Sequence, residues 1–217
     1  MRINTLLIGL LFFTAAPVWA DAAAPAAGTV PPDQVVETTA KAILAAVAAK
    51  HEDLKQHPMD LYDVVQKDLL PHLDFDLASR FVLGQAWRSA TAAQRKAFQD
   101  AFIKYMIRSY ADGLLQGNYS DRNLQMEPWH GSADDKKTTV KTKVLRDNGT
   151  SVEVDYQMVK TPEGWKAFDV TIEGISYVIS YQNQFGPEIQ QKGLDELIQR
   201  LNADAAKAPP ANPPGKG

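Results

Sequence analysis

Val152-Glu153-Val154-Asp155-Tyr156-Gln157-Met158 alternates apolar and polar residues without a break. Successive side chains of a strand point to opposite faces, so a period of two predicts a half-buried β-strand. Upstream, residues 137–147 repeat the pattern, with Val140 and Val144 on one face and Lys137, Lys141 and Lys143 on the other. Asn148-Gly149 between the runs is a hairpin signal, because both residues tolerate the positive φ of a tight turn. Downstream, Thr161-Pro162-Glu163-Gly164 makes a second turn, after which Phe168, Val170 and Ile172 alternate with Ala167, Asp169 and Thr171. Residues 124–129 supply a fourth strand. The expectation is an antiparallel meander with one apolar face, and that face needs helices to cover it.

Segments at helical spacing supply the cover. Asp33, directly after two prolines, is the expected N-cap of a helix carrying Val36, Ala40, Ile43, Leu44 and Val47. Pro58 and Asp60 open a shorter helix through Leu61, Val64, Val65 and Leu69, which Pro71 stops. Asp74 or Asp76 caps a third, carrying Phe81, Val82, Leu83 and Trp87. Thr91 and Gln94 have the spacing of a capping box. They begin the longest helix, through Phe98, Phe102, Tyr105, Met106 and Tyr110, ending near Gly113 or Gly117. Residues 176–184 and 193–202 form the last two. Consecutive strands with segregated helices define an α+β protein rather than a parallel α/β one.

The chain has 217 residues, no cysteine, and 23 Lys+Arg against 26 Asp+Glu. Its length suits one domain, and a net charge of −3 argues against a nucleic-acid-binding surface. Without cysteine there is no thiol catalysis, no disulfide, no thiolate metal site and no lipidated N-terminal Cys. Arg2, an apolar run over residues 3–13, and small residues Val18 and Ala20 read as a secretory signal peptide over residues 1–20. The run is shorter than the roughly 20 residues of a bilayer span. Cleavage after Ala20 would leave 217 − 20 = 197 residues and a charge of 22 − 26 = −4, in the periplasm. An Ala/Pro-rich linker over residues 21–32 and a Pro-rich tail over 205–217 then flank a single domain over 33–204.

Reactive chemistry has little foothold. His51, His57, His72 and His130 stand in separate segments at no ligand spacing. Ser176 in Gly174-Ile175-Ser176 lacks the second glycine of a nucleophile elbow, and no phosphate-cradling glycine motif occurs before the final residues. The acid pairs Asp74/Asp76 and Asp134/Asp135 fall at a helix start and in a loop. The expectation is a protein with no catalytic residues, no metal and no cofactor. Lys136, Lys137, Lys141 and Lys143 make a basic strand face, which serves either to solvate the sheet or to meet anionic headgroups or an acidic partner.

Leu83-Gly84-Gln85-Ala86-Trp87-Arg88-Ser89-Ala90-Thr91, followed by Gln94-Arg95 and Phe98, resembles a stretch shared by the MlaC or toluene-tolerance family, periplasmic phospholipid carriers of Gram-negative bacteria. The resemblance runs on through Tyr110, Leu114-Leu115, Val154-Asp155-Tyr156 and Gly164-Trp165-Lys166. It continues with Phe168-Asp169-Val170, Glu173-Gly174-Ile175-Ser176, Tyr181, Gln184-Phe185 and Gly193-Leu194-Asp195. It covers residues 33–202 in order; the C-terminal extension lies outside the pattern.

What the resemblance implies is a monomeric soluble shuttle that maintains outer-membrane lipid asymmetry. It would carry phospholipid between an outer-membrane lipoprotein–porin complex and an inner-membrane ABC transporter with an MCE subunit. It also implies a twisted four-stranded antiparallel sheet packed against several helices, with acyl chains between sheet and helices. Two chains carry on the order of 30 CH₂ groups at ~0.8 kcal/mol each, so the expected cavity approaches or exceeds ~1,000 Å³. The candidate lining is Phe98, Phe102, Tyr105, Met106 and Tyr110 on the long helix. Facing them are Val140, Val144, Val154, Tyr156, Met158, Phe168, Val170 and Ile172 on the sheet. Val82, Leu83, Val178 and Ile179 complete the walls, and about half of the whole set is expected to touch lipid. Trp87 and Trp165 read as framework. The alternative is an envelope adaptor or chaperone whose apolar face is simply its core.

Overall fold

The alternating runs pair in chain order. In the computed structural model, which describes residues 30–116, 123–132, 134–146 and 149–207, β1 (Leu124–Met126), β2 (Lys137–Leu145), β3 (Ser151–Thr161) and β4 (Gly164–Ile172) form an antiparallel meander. A fifth strand corrects the expected four. Glu173 and Gly174, with φ of 49° and 82°, turn the chain back so that β5 (Ile175–Ser176) pairs with the end of β4. Two central residues with positive φ match the twist of the flanking strands, and Gly174 takes that conformation without steric cost. The signal peptide, residues 21–29 of the linker, Gly117, Asn148 and the tail from residue 208 lie outside the described residues.

Register fixes what shares a face. Val140, Tyr156 and Val170 stand opposite one another, as do Thr142, Val154 and Ile172. Along β4 the simple alternation fails. Gln157 pairs with Asp169 but Met158 with Ala167, leaving Phe168 without a partner. An extra residue of this kind is a β-bulge, and it resets the side-chain alternation by one. Trp165 and Ala167 therefore join Met158 on the apolar face, and Ala167 is buried rather than paired with the polar set as alternation predicted.

The helices are α1 (Pro32–Ala49), α2 (His51–Gln56), α3 (Leu61–Val64), α4 (Phe75–Leu83), α5 (Ala86–Ser89), α6 (Ala92–Gln116), α7 (Tyr177–Lys192) and α8 (Leu194–Ala205). α1 begins two residues earlier than expected, with Pro31 as N-cap and Pro32 at the first helical position, where a missing N–H costs nothing. Asp33 sits in the first turn instead of capping it. The expected short helix is a run of tight, α and wide turns: 3₁₀ at Pro58–Asp60, then α3, a π turn at Val65–Leu69, and 3₁₀ again at Leu70–His72. Asp74 caps α4, accepting from the Leu77 amide at 2.9 Å. Gly84, with φ of 54°, ends it and detaches Trp87 into α5.

The capping box of α6 forms reciprocally. The Gln94 amide donates to Thr91 Oγ1 at 3.1 Å, while Gln94 Oε1 accepts from the Thr91 amide at 3.0 Å. α7 runs eight residues beyond residue 184, straight through Gly186-Pro187. Local breakers lose here to tertiary packing: Phe185 and Ile189 are held in one cluster with α8, and Arg200 of α8 bridges to Glu188 at 2.8 Å.

Three apolar clusters result among the described residues. The largest joins α4–α8 around Phe98, Phe102, Tyr181, Phe185, Leu197 and Leu201. A second holds Leu54, Leu61, Val64, Ile103 and Ile107, between the first helices and α6. The third seats Val36 of α1 on Val140, Met158, Trp165 and Ala167 of the sheet. Each fully buried Leu, Phe or Met contributes about 1.5–3 kcal/mol relative to exposure.

Candidate functional site

An apolar cavity of about 440 Å³ lies where β4, α4, α6 and α7 meet the 58–72 run. The spacing along α6 explains its largest wall. Phe102, Met106 and Tyr110 recur at four-residue intervals, with Ile103, Ile107 and Ala111 one position behind, so a broad stripe faces one way. Leu61, Val65, Leu69 and Leu70 close the side formed by the helical run, and Phe75, Ala78 and Val82 of α4 add to it. β4 contributes Ala167, Phe168, Asp169, Val170 and Ile172; α7 contributes Tyr177, Val178 and Tyr181. Of the lining residues only Asp169 and the three tyrosines carry polar side-chain atoms.

Those polar groups are engaged with the protein. Asp169 accepts from Ser176 Oγ at 2.5 Å and from the Val178 amide at 3.0 Å. Its carboxylate thereby caps the N-terminus of α7, where a negative charge is favoured by the exposed amides, and ties that helix to β4. The Tyr110 and Tyr181 hydroxyls meet at 3.1 Å and link α6 to α7. Burial, foremost, pushes both hydroxyls above the ordinary 10.0, reinforced by neighbouring tyrosines. Both stay neutral over the ordinary pH range. Neither hydroxyl is therefore poised to give up its proton in the cavity.

These raised values carry a stability consequence with a definite sign. Above about pH 10 the unfolded chain releases tyrosine protons that the folded chain keeps, so the folded state binds more protons and stability falls as pH rises. Denaturant titrations from pH 9 to 11 should show this fall, and Tyr110→Phe should make it shallower. An equally steep fall in the variant would count against it.

Of the residues singled out in the sequence, Val82, Phe102, Met106, Tyr110, Phe168, Val170, Ile172 and Val178 come together in the lining. The others are placed elsewhere. Leu83, Phe98 and Tyr105 pack into the α4–α8 core. Val140 and Met158 lie in the cluster under α1, with Tyr156 packed against it. Val154 is buried opposite Thr142, Val144 faces Leu124 and Val152 across its neighbouring strands, and Ile179 is 56% exposed. Alternation tells which face of a sheet is apolar but not which helix covers each part of it, and α1 takes the β2–β3 portion. The volume also falls below the expected ~1,000 Å³. Aromatic rings fill the space: Phe102 and Tyr181 have centroids 4.8 Å apart, and Tyr177 lies 6.3 Å from Tyr181.

Sequence reasoning missed the wall made by Leu61, Val65, Leu69 and Leu70, and the pair Tyr177 and Tyr181. Their signals were present. Leu61, Val65 and Leu69 recur every four residues, and so do Tyr177 and Tyr181. Among the described residues, no group of His, Asp and Glu is arranged to hold a metal, and no helix is long and apolar enough to cross a membrane.

An antiparallel sheet backed by helices, with an apolar cavity along its last long strand, defines an α+β protein whose interior suits hydrophobic chains. The chain belongs to the MlaC family: the family model described as "MlaC protein" matches residues 37–203. It is 30% identical to the toluene tolerance protein ttg2D of Pseudomonas putida over 181 residues, 82% of each chain. It is 25% identical to the intermembrane phospholipid transport system binding protein MlaC of Haemophilus influenzae, covering 81% of this chain and 83% of that one. The phospholipid-binding protein from Ralstonia solanacearum, solved in complex with a phospholipid, superposes with a TM-score of 0.72 at 30% identity. That match covers 81% of this chain and 97% of the other.

Proposed function

We propose that this chain is a non-enzymatic phospholipid carrier of the bacterial periplasm, which takes up acyl chains into the cavity between β4, α6 and α7. The observation that carries this reading is the lining: Asp169 is held by Ser176 and the Val178 amide, and the Tyr110 and Tyr181 hydroxyls by each other, so the surface left to meet a ligand is overwhelmingly apolar. The names of its relatives and the lipid complex of the Ralstonia solanacearum protein support it. Val82, Phe102, Met106, Tyr110, Phe168, Val170, Ile172 and Val178 are the proposed chain contacts.

The physics follows from the transfer cost. Each CH₂ kept from water is worth about 0.8 kcal/mol, so a cavity need only match the bilayer for a lipid to pass through water between membranes. Recognition through chains leaves direction to the partners, because a passive binder shifts no gradient of its own. In this reading residues 1–20 are removed on export, and residues 33–204 form the carrier domain. The donor and acceptor are an outer-membrane lipoprotein–porin complex and an inner-membrane MCE-type ABC transporter, and the exchange maintains outer-membrane lipid asymmetry.

Native mass spectrometry of the gently purified protein, followed by solvent extraction, tests the reading. Bound phospholipid near one molecule per chain is expected. A ligand-free mass with no uptake from phospholipid vesicles would overturn the carrier in favour of an adaptor, and release of lysolipid would mark an enzyme.

A further inference from the structure

The four lysines of the basic strand face are not equivalent once folded. Lys141 has Asp155 directly opposite on β3, at 3.8 Å, and Lys143 reaches Glu127 at 2.8 Å. Cross-strand carboxylates neutralise both. Lys137 has no carboxylate partner among the described residues; its ammonium instead lies over the ring of Phe168, 5.5 Å from the centroid. A cation over an aromatic face is attracted by the ring, yet keeps its donors free for an anion.

Phe168 connects this charge to the cavity. It is the unpaired bulge residue of β4, it lines the cavity, and it packs against Phe81 with centroids 5.8 Å apart. Phe81 is 41% exposed, an unusual state for a large aromatic side chain. At this ring pair the apolar wall meets water, with one uncommitted positive charge directly above it. The cavity's own carboxylate, Asp169, is taken up by Ser176 and Val178.

We propose that Lys137 binds the phosphate of a phospholipid whose chains occupy the cavity, setting the headgroup at the Phe81–Phe168 rim. This rests on the carrier reading. The ammonium recognises the phosphodiester common to phospholipids and leaves the alcohol beyond it unread. Such a site selects lipids with a phosphate over neutral lipids with the same chains, without dictating headgroup identity.

The test compares two ligands inside one sample. Protein is incubated with dioleoyl phosphatidylglycerol vesicles containing dioleoylglycerol, reisolated, extracted, and the ratio of the two bound lipids measured. Lys137→Met keeps the aliphatic stem over Phe168 and removes only the charge. Its ratio should fall about fivefold, as expected for a half-exposed ion pair, and the wild-type ratio should shrink in the same direction at high salt. Lys137→Arg should restore it. Lys104→Glu, a charge change at an exposed position of α6, should leave it unchanged.

An unchanged ratio in Lys137→Met, or equal loss of both lipids, would overturn the headgroup site. So would binding of inorganic phosphate that Lys137→Met abolishes while the lipid ratio stays unchanged, since that would mark a free-anion site. If wild-type protein takes up neither lipid, the carrier reading fails, an outcome distinct from failure of the lysine.

Discussion

Val170→Asp is expected to empty the cavity, leaving less than a tenth of the wild-type phospholipid per chain. Val170 stands on β4 opposite Tyr156 and lines the cavity. The cavity lining contains no Lys, Arg or His, so a carboxylate there would face acyl chains. Stranding an unpaired charge in an apolar site costs several kcal/mol, whereas ~1.4 kcal/mol already weakens affinity tenfold. Water entering the cavity would relieve the charge, and that solvation is itself incompatible with bound chains. Lipid extraction normalised to protein, with circular dichroism to establish folding, reads the result. A folded Val170→Asp protein with full lipid content would move the chains away from β4, and Val170→Leu should remain loaded.

The second large effect concerns stability. Phe185→Ala should lower the unfolding free energy by about 3–5 kcal/mol, the usual cost of deleting a buried ring. For a chain of this size that corresponds to a Tm fall of roughly 6–20 °C. Phe185 is fully buried, and its ring lies 5.3 Å from Tyr181, 5.7 Å from Phe102 and 6.4 Å from Phe98. Arg200 also lies 5.7 Å from its centroid, so the substitution removes a cation–π contact with the packing. Thermal melts check the value. A fall of only a degree or two would mean that the neighbouring rings collapse into the vacated space.

Much of the frame was legible because its signals are local. Period two marked β2, β3 and β4; Thr91 and Gln94 marked the start of α6; Asp74 and Asp76, as alternative caps, marked the start of α4. The failures share a different cause. Gly186-Pro187 is a strong stop by itself, but Phe185 and Ile189 on either side of it are held against α8, and the helix persists. The bulge at Phe168 left no clear trace in composition, so Ala167 was read on the polar side. The division of the sheet between α1 and the cavity depends on contacts between Val36 and residues more than a hundred positions away. No local pattern encodes such a pairing. For the same reason Val140 and Met158 could not be told from Val170 and Ile172.

Several cavity residues belong to a core cluster as well. Val82, Phe102 and Tyr181 lie in the α4–α8 core, and Leu61, Ile103, Ile107 and Ala111 in the second cluster. Trimming any of them to admit bulkier cargo would weaken the scaffold by the same atoms it removes. Val170 and Ile172 lie in none of the three clusters yet still form the β4 wall. Capacity can therefore be adjusted along this strand at less cost to folding than within the clusters, and an engineer or natural selection adjusting chain length or unsaturation has that strand as a favourable place to begin.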